Sequence, residues 1–154
     1  MLPVDLNKIK LGLSQVKISG RIEIVPGAIT EIHDVAHNPD AIEKLRNYLK
    51  QNPLEKNKKT LAVFSMLQDK DISQCIQIIK NDIDQWYIAE LPVQRSASAS
   101  LLNNIFKKFK VEFELFHSIK EAYQQSKKIA NPGDRIIAFG SFHVLAAIKA
   151  PAQS

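Results

Sequence analysis

Hydrophobic positions along this chain follow two different periods, which predicts strands and helices in regular succession. Residues 21–25 and 28–34 alternate between apolar and polar side chains on either side of Pro26-Gly27, as expected for a β-hairpin. Residues 60–65 form a short, continuous apolar run, which is typical of a strand covered on both faces. Further strands are predicted at 84–89, 112–116 and 135–139.

Between these strands the apolar positions recur every three to four residues, which predicts amphipathic helices. One is expected from about Asp5 to Val16, and another begins after Asn38 and ends before Pro53. Ser118 is expected to cap a later helix. The predicted later helices are 71–79, 99–110, 118–130 and 142–150. A hairpin followed by alternating helices and strands predicts a three-layer α/β fold, with a mostly parallel sheet of about six strands.

Composition narrows the class of protein. A chain of 154 residues is expected to form a single domain. The net charge of +5 is spread over scattered lysines without interleaved aromatic residues, so neither nucleic acid nor a membrane is expected as a partner. The single cysteine, Cys75, is predicted to be a buried thiol, and together with the absence of a signal-peptide pattern it favours the cytoplasm.

Complete catalytic motifs are absent from the sequence. There is no phosphate-binding loop, no dinucleotide-binding glycine pattern and no paired cysteines or histidines at zinc-binding spacing. We therefore expect neither a metal ligand nor a catalytic residue in this chain.

Polar residues cluster instead in four segments, each of which joins a predicted strand to a predicted helix. The carboxyl ends of parallel strands share one edge of a sheet, where ligands bind in α/β proteins. Taken singly, the residues have structural alternatives: Asp34 can bond backbone amides, and Asp71 and Ser141 can cap helices. The four segments are Asp34–Pro39, Phe64–Asp71, Leu91–Ala97 and Phe139–His143.

Four motifs, in this order, carry a family resemblance: Gly20–Glu23, Asp34–Pro39, Met66–Asp71 and Phe139–His143. With them the chain resembles the C-terminal, Rossmann-like domain of folylpolyglutamate synthase/dihydrofolate synthase in the Mur ligase superfamily, over residues 17–150. Two positions depart from the family pattern. Ser19 stands where proline is common, and Ser65 stands where many members have glycine.

The resemblance implies an ATP-dependent ligase that adds L-glutamate to dihydropteroate, to a folate γ-carboxylate, or to both. ATP phosphorylates the carboxylate, and the glutamate amine then displaces phosphate, with Mg²⁺ assisting. In such ligases a separate N-terminal domain carries the phosphate-binding loop. The single domain 1–154 lacks that part, so it is expected to fold and to be inactive alone.

The resemblance also implies roles for individual residues. Arg21 would approach the ATP phosphates, Asp34 would accept hydrogen bonds from the ribose hydroxyls, and His37 and Asn38 would lie near the nucleotide. The residues expected near the incoming glutamate are Lys70, Arg95, Ser141, Phe142 and His143.

Two other functions remain open at this point. A stand-alone, non-enzymatic nucleotide-binding module would share the same fold, and it would bind ATP without a partner domain. A receiver-like regulatory domain needs an acidic cluster at its first strand end, and Asp34 has no such neighbours.

Overall fold

A computed structural model describes residues 21–150. These residues form a six-stranded sheet with the order β1-β2-β6-β3-β4-β5. Strands β2, β3, β4, β5 and β6 all run in the same direction. Strand β1, at the edge of the sheet, pairs with β2 in the antiparallel direction. The strands are β1 (Glu23–Val25), β2 (Thr30–His33), β3 (Thr60–Phe64), β4 (Gln85–Ala89), β5 (Phe113–Phe116) and β6 (Arg135–Phe139).

The described residues contain five α-helices and one short 3₁₀ helix, of which all but the last α-helix connect strands. Side chains cap the helices as the sequence predicts. Asn38 accepts a bond from the Ala41 amide, and Ser118 accepts one from the Glu121 amide. The helices are α1 (Pro39–Gln51), α2 (Ile72–Ile79), α3 (Ala99–Phe109), α4 (Ile119–Ile129) and α5 (Phe142–Lys149), with the 3₁₀ turn at Lys80–Asp82.

Each face of the sheet is buried by helices, which makes the fold three-layered. Alternate residues of β6 point to opposite faces: Ile137 and Phe139 join the core under α1, α2 and α3, whereas Ile136 and Ala138 join the core under α4 and α5. All five residues of β3 are buried, as are those of β6. Covering on both faces explains why these strands read as continuous apolar runs.

The predicted fold class and element order are confirmed, with boundaries shifted by one or two residues. Cys75 is buried on α2, as predicted. Phe109, near the end of α3, is half-buried, and Lys80 and Lys108 lie over its ring. The predicted helix from Asp5 to Val16 and the departure at Ser19 lie outside the described residues.

Strand order creates a crevice at the carboxyl edge of the sheet. Strand β6 lies between β2 and β3, and it leads into α5 on one face, whereas β2 and β3 lead into α1 and α2 on the other. Loops that leave neighbouring strands toward opposite faces open a gap between them, which is where α/β proteins bind ligands. The Asp34, Ser65 and Gly140 segments surround this gap.

Candidate functional site

Two cavities adjoin one another at this crevice. The first, which we call the Asp34 cavity, has a volume of about 340 Å³. It lies between the hairpin and the start of α1. Its lining residues are Arg21, Ile22, Asp34, Val35, Ala36, His37, Asn38, Asp40, Ala41 and Lys44.

The carboxylate of Asp34 is almost fully buried at the wall of this cavity. Its Oδ1 accepts a 2.7 Å bond from the Ala36 amide, and its Oδ2 accepts a 3.2 Å bond from the Ile22 amide. Burial raises the pKa of Asp34 to about 6, against the two amide bonds and the Arg21 charge, which favour the ionised form. Asp34 therefore has the structural role that the sequence left open, because it accepts hydrogen bonds from two backbone amides. Each carboxylate oxygen retains a second lone pair for a ligand hydroxyl.

His37 and Asn38 follow Asp34 at the start of α1. Nδ1 of His37 lies 2.8 Å from the carbonyl oxygen of Val35, which can only accept, so Nδ1 carries the proton. The lone pair of the neutral ring is then on Nε2. The side-chain oxygen of Asn38 caps α1 and is occupied by the Ala41 amide, which leaves its amide nitrogen as the group available to a ligand.

The second cavity, which we call the Ser141 cavity, has a volume of about 190 Å³. It lies between the loops that follow β3 and β6. Ser141 caps α5 by accepting a 3.1 Å bond from the His143 amide, and Phe142 is 64% exposed at the same helix end. The lining residues are His37, Leu67, Lys70, Gly140, Ser141, Phe142 and His143.

Gly140 fixes the path of the loop that forms this cavity. Its φ of 113° lies in the region that favours glycine, and a Cβ atom there would overlap the carbonyl oxygen of Ser65. The Ser65 side chain is fully buried, and its hydroxyl has no hydrogen-bond partner among residues 21–150. The position where the sequence departs from the family pattern is therefore packed directly against the Ser141 cavity wall.

Apart from Arg95, the residues assigned from the sequence to two ligands thus line two cavities, and His37 belongs to both linings. A family model described as Mur ligase, glutamate ligase domain, matches residues 20–142, a span that takes in nearly all of both linings. The chain belongs to the Mur ligase family, as a glutamate ligase domain. The resemblance drawn from the four motifs is confirmed.

Particular relatives of this Mur ligase domain point the same way. The chain is 37% identical over 142 residues to the dihydrofolate synthase/folylpolyglutamate synthase of Buchnera aphidicola subsp. Schizaphis graminum, covering 92% of this chain and 33% of that relative. The Escherichia coli FolC solved in complex with DHPP and ADP has a TM-score of 0.76 at 36% identity, over 84% of this chain and 30% of that one.

A second solved relative is a bifunctional folylpolyglutamate synthase/dihydrofolate synthase with Mn, AMPPNP and L-glutamate bound. It has a TM-score of 0.76 and 36% identity, and the match covers 84% of this chain and 30% of that chain. The Mur ligase domain described here therefore spans about a third of the length of the relatives that it matches.

Arg95 lines neither cavity of this domain. Its guanidinium forms a 2.5 Å ion pair with Asp69, between the loops that follow β3 and β4. The backbone joins the same loops, because the Gln68 amide donates to the Arg95 carbonyl and the Ala97 amide to the Met66 carbonyl. The expected contact between Arg95 and glutamate stays a prediction, which this geometry does not favour.

Two charged residues that line the Asp34 cavity were not predicted from the sequence. Asp40 and Lys44 lie one turn apart on α1 and face the cavity with Arg21. Their four-residue spacing, beginning two residues after the Asn38 cap, is the signal that could have found them, since residues four apart share a helix face.

A third cavity, of about 440 Å³, lies at the ends of β4 and β5. Its lining includes Leu91 and Pro92 of the predicted segment Leu91–Ala97, but none of the residues that were assigned to a ligand. Its lining is mainly apolar, and the Glu90 carboxylate there already accepts a bond from the Ala99 amide. Residues 21–150 contain no group of three or more His, Cys, Asp or Glu side chains placed to hold a metal ion. No helix in the same range is long and apolar enough to cross a membrane.

Proposed function

We propose that this domain forms one wall of the active site of an ATP-dependent ligase. The ligase adds L-glutamate to dihydropteroate, to the γ-carboxylate of a folate, or to both. One observation carries the proposal: two cavities of different chemistry share His37, and they are lined by all four residues expected near the nucleotide and by four of the five expected near glutamate.

The Asp34 cavity suits a nucleoside triphosphate. Carboxylates at Asp34 and Asp40 accept hydrogen bonds from ribose hydroxyls, whereas Arg21 and Lys44 supply positive charge for the phosphates. The amino end of α1, which runs for 13 residues, adds the positive end of its dipole. ATP therefore fits residues that are present in this chain.

The Ser141 cavity suits a small dicarboxylic amino acid. Lys70 provides a cation for a carboxylate, and the start of α5 provides backbone amides. Glutamate has this chemistry, and one solved relative at 36% identity has L-glutamate bound.

The remaining parts of the site belong to the rest of the ligase. We assign the phosphate-binding loop and the dihydropteroate or folate pocket to an N-terminal domain of the same polypeptide, with the ligase in the cytoplasm, where ATP is available. We also assign the Mg²⁺ that accompanies ATP mainly to that other domain.

Calorimetry on the 154-residue chain tests the nucleotide assignment. Because this domain is proposed to supply only part of the ATP site, it should bind ATP weakly, with a Kd of about 1 mM, equivalent to roughly −4 kcal/mol. Arg21→Ala should abolish the measurable heat, whereas Lys50→Ala, which removes a lysine from the far end of α1, should preserve it. Micromolar binding by the unmodified chain would favour a stand-alone nucleotide-binding module over a closing domain.

A further inference from the structure

His37 is the one described residue that lines both the Asp34 cavity and the Ser141 cavity. If ATP occupies the first and glutamate the second, its ring lies between the transferred phosphoryl group and the incoming amine. The sequence assigned it only to the nucleotide, and expected no reacting group in this chain.

The contacts of the ring leave one nitrogen available. Nδ1 donates to the carbonyl oxygen of Val35 at 2.8 Å, which fixes the neutral tautomer with its lone pair on Nε2. The ring is half-buried, and the loop that carries it is held by the Asp34–Ala36 bond of 2.7 Å. The ring is therefore oriented before any ligand arrives.

Other groups of the Ser141 cavity are poorer proton acceptors. Lys70 carries a positive charge and has no lone pair when protonated. The Ser141 hydroxyl is committed to the His143 amide. His143 has a lone pair, but it is exposed and does not line the Asp34 cavity.

Building on the proposed function, we propose that Nε2 of His37 accepts a proton from the ammonium group of the incoming glutamate. The neutral amine then attacks the carbonyl carbon of the acyl phosphate. A carbon–nitrogen bond forms, the bond between the carbonyl carbon and the phosphate oxygen breaks, and its electron pair leaves with the phosphate. The second proton of the amine leaves with that phosphate, which yields the amide. The imidazolium afterwards returns its proton to solvent.

Nuclear magnetic resonance on the ¹⁵N-histidine-labelled chain tests this inference with three probes: ATP, L-glutamate and glutarate. Glutarate keeps both carboxylates of glutamate and lacks its amine. The backbone amides of Ala36 and Ser141 report whether each cavity is occupied, and His143→Gln assigns the ring signals. The Nε2 resonance of His37 should shift with L-glutamate and with ATP. Glutarate should shift the Ser141 amide and leave Nε2 in place.

Two results would overturn the inference while the proposed function stands. Equal shifts of Nε2 with L-glutamate and glutarate would mean that a carboxylate, not the amine, faces the ring. A glutamate response at His143 alone would move the proton acceptor there. If neither the Ala36 nor the Ser141 amide responded to its ligand at saturating concentration, the proposed function itself would fail.

Discussion

The phenol of Tyr123 donates a 2.7 Å hydrogen bond to Oε1 of Glu31, which ties helix α4 to strand β2 across β6. The same oxygen lies 3.1 Å from Nε2 of His33. These three side chains form a polar cluster within the otherwise apolar packing of α4 and α5 on the sheet. Because the Glu31 side chain is mostly buried, its charge is poorly screened by water.

Tyr123→Phe should lower the free energy of unfolding by about 1.5 kcal/mol, because it removes a hydrogen bond to an ionised and mostly buried carboxylate. Urea denaturation at pH 7 measures the change. Glu31→Gln and the double variant complete a mutant cycle. A coupling energy near zero would contradict the bond, since the two substitutions would then be independent.

Glu31 also gives stability a defined pH dependence. The hydrogen bond from His33, the bond from Tyr123 and nearby positive charges outweigh burial and hold the pKa of Glu31 below its ordinary value. A carboxyl with a lowered pKa in the fold contributes stability above its unfolded pKa, and that contribution is lost as pH falls through the lowered folded value. Glu31→Gln should flatten this acid limb of the unfolding free energy. An unchanged limb would mean that other carboxyls produce it.

Asp34 should change the pH dependence of the free energy of unfolding in the opposite direction to Glu31. Burial raises its pKa to about 6, so its protonated form favours the folded state, and that stability is lost as pH rises from near 3.8 through about 6. Carbon-13 resonance of the Asp34 carboxyl against pH should show a midpoint near 6. A midpoint at or below the ordinary value would show that the Ala36 and Ile22 amides outweigh burial.

Gly140→Ala should cost more than about 2 kcal/mol of unfolding free energy, because it combines a positive φ with a methyl group placed on the Ser65 carbonyl. Gly27→Ala is the matched control. Its new methyl group would lie 3.3 Å from the nearest oxygen, that of Ile29, without a positive φ. Thermal unfolding that ranked the two variants equally would argue against a rigid path for the Gly140 loop.

Lys44→Ala should weaken ATP binding two- to fivefold, the equivalent of about 0.5–1 kcal/mol for an exposed charge. Lys50→Ala lies on the same helix outside the Asp34 cavity and should leave the affinity unchanged. Equal effects of the two substitutions would indicate attraction by net charge alone and would remove Lys44 from the site.

The Asp34 segment was found from the sequence because its chemistry coincides with a local transition. An alternating strand stops at Asp34, and an Asn38-Pro39 cap starts a helix directly afterwards. The end of a strand and the cap of a helix are both encoded by residues that are adjacent in sequence, so the sequence alone predicts them. The Gly140-Ser141 turn was found in the same way.

The sequence could not predict contacts between residues that are distant along the chain. The insertion of β6 between β2 and β3 brings Gly140 beside Ser65, and no local period encodes that pairing. Arg95 was assigned to glutamate by the family resemblance alone. Its partner, Asp69, is 26 residues away and only the fold brings it close. Lys44 was not predicted because a lysine on a helix is usually exposed to solvent, and the sequence does not show which loop lies opposite it.

The central claim, that this domain closes the active site of a glutamate ligase, is tested most directly in a hybrid enzyme. In the Escherichia coli dihydrofolate synthase/folylpolyglutamate synthase, the matched third of the chain would be replaced by this one. ATP-dependent incorporation of radiolabelled L-glutamate into dihydropteroate or a folate is then measured, beside the truncated enzyme. Incorporation by the hybrid, reduced by Asp34→Ala and absent from the truncated enzyme, is the predicted result. A folded hybrid that binds ATP and incorporates no glutamate into any of these acceptors would contradict the account.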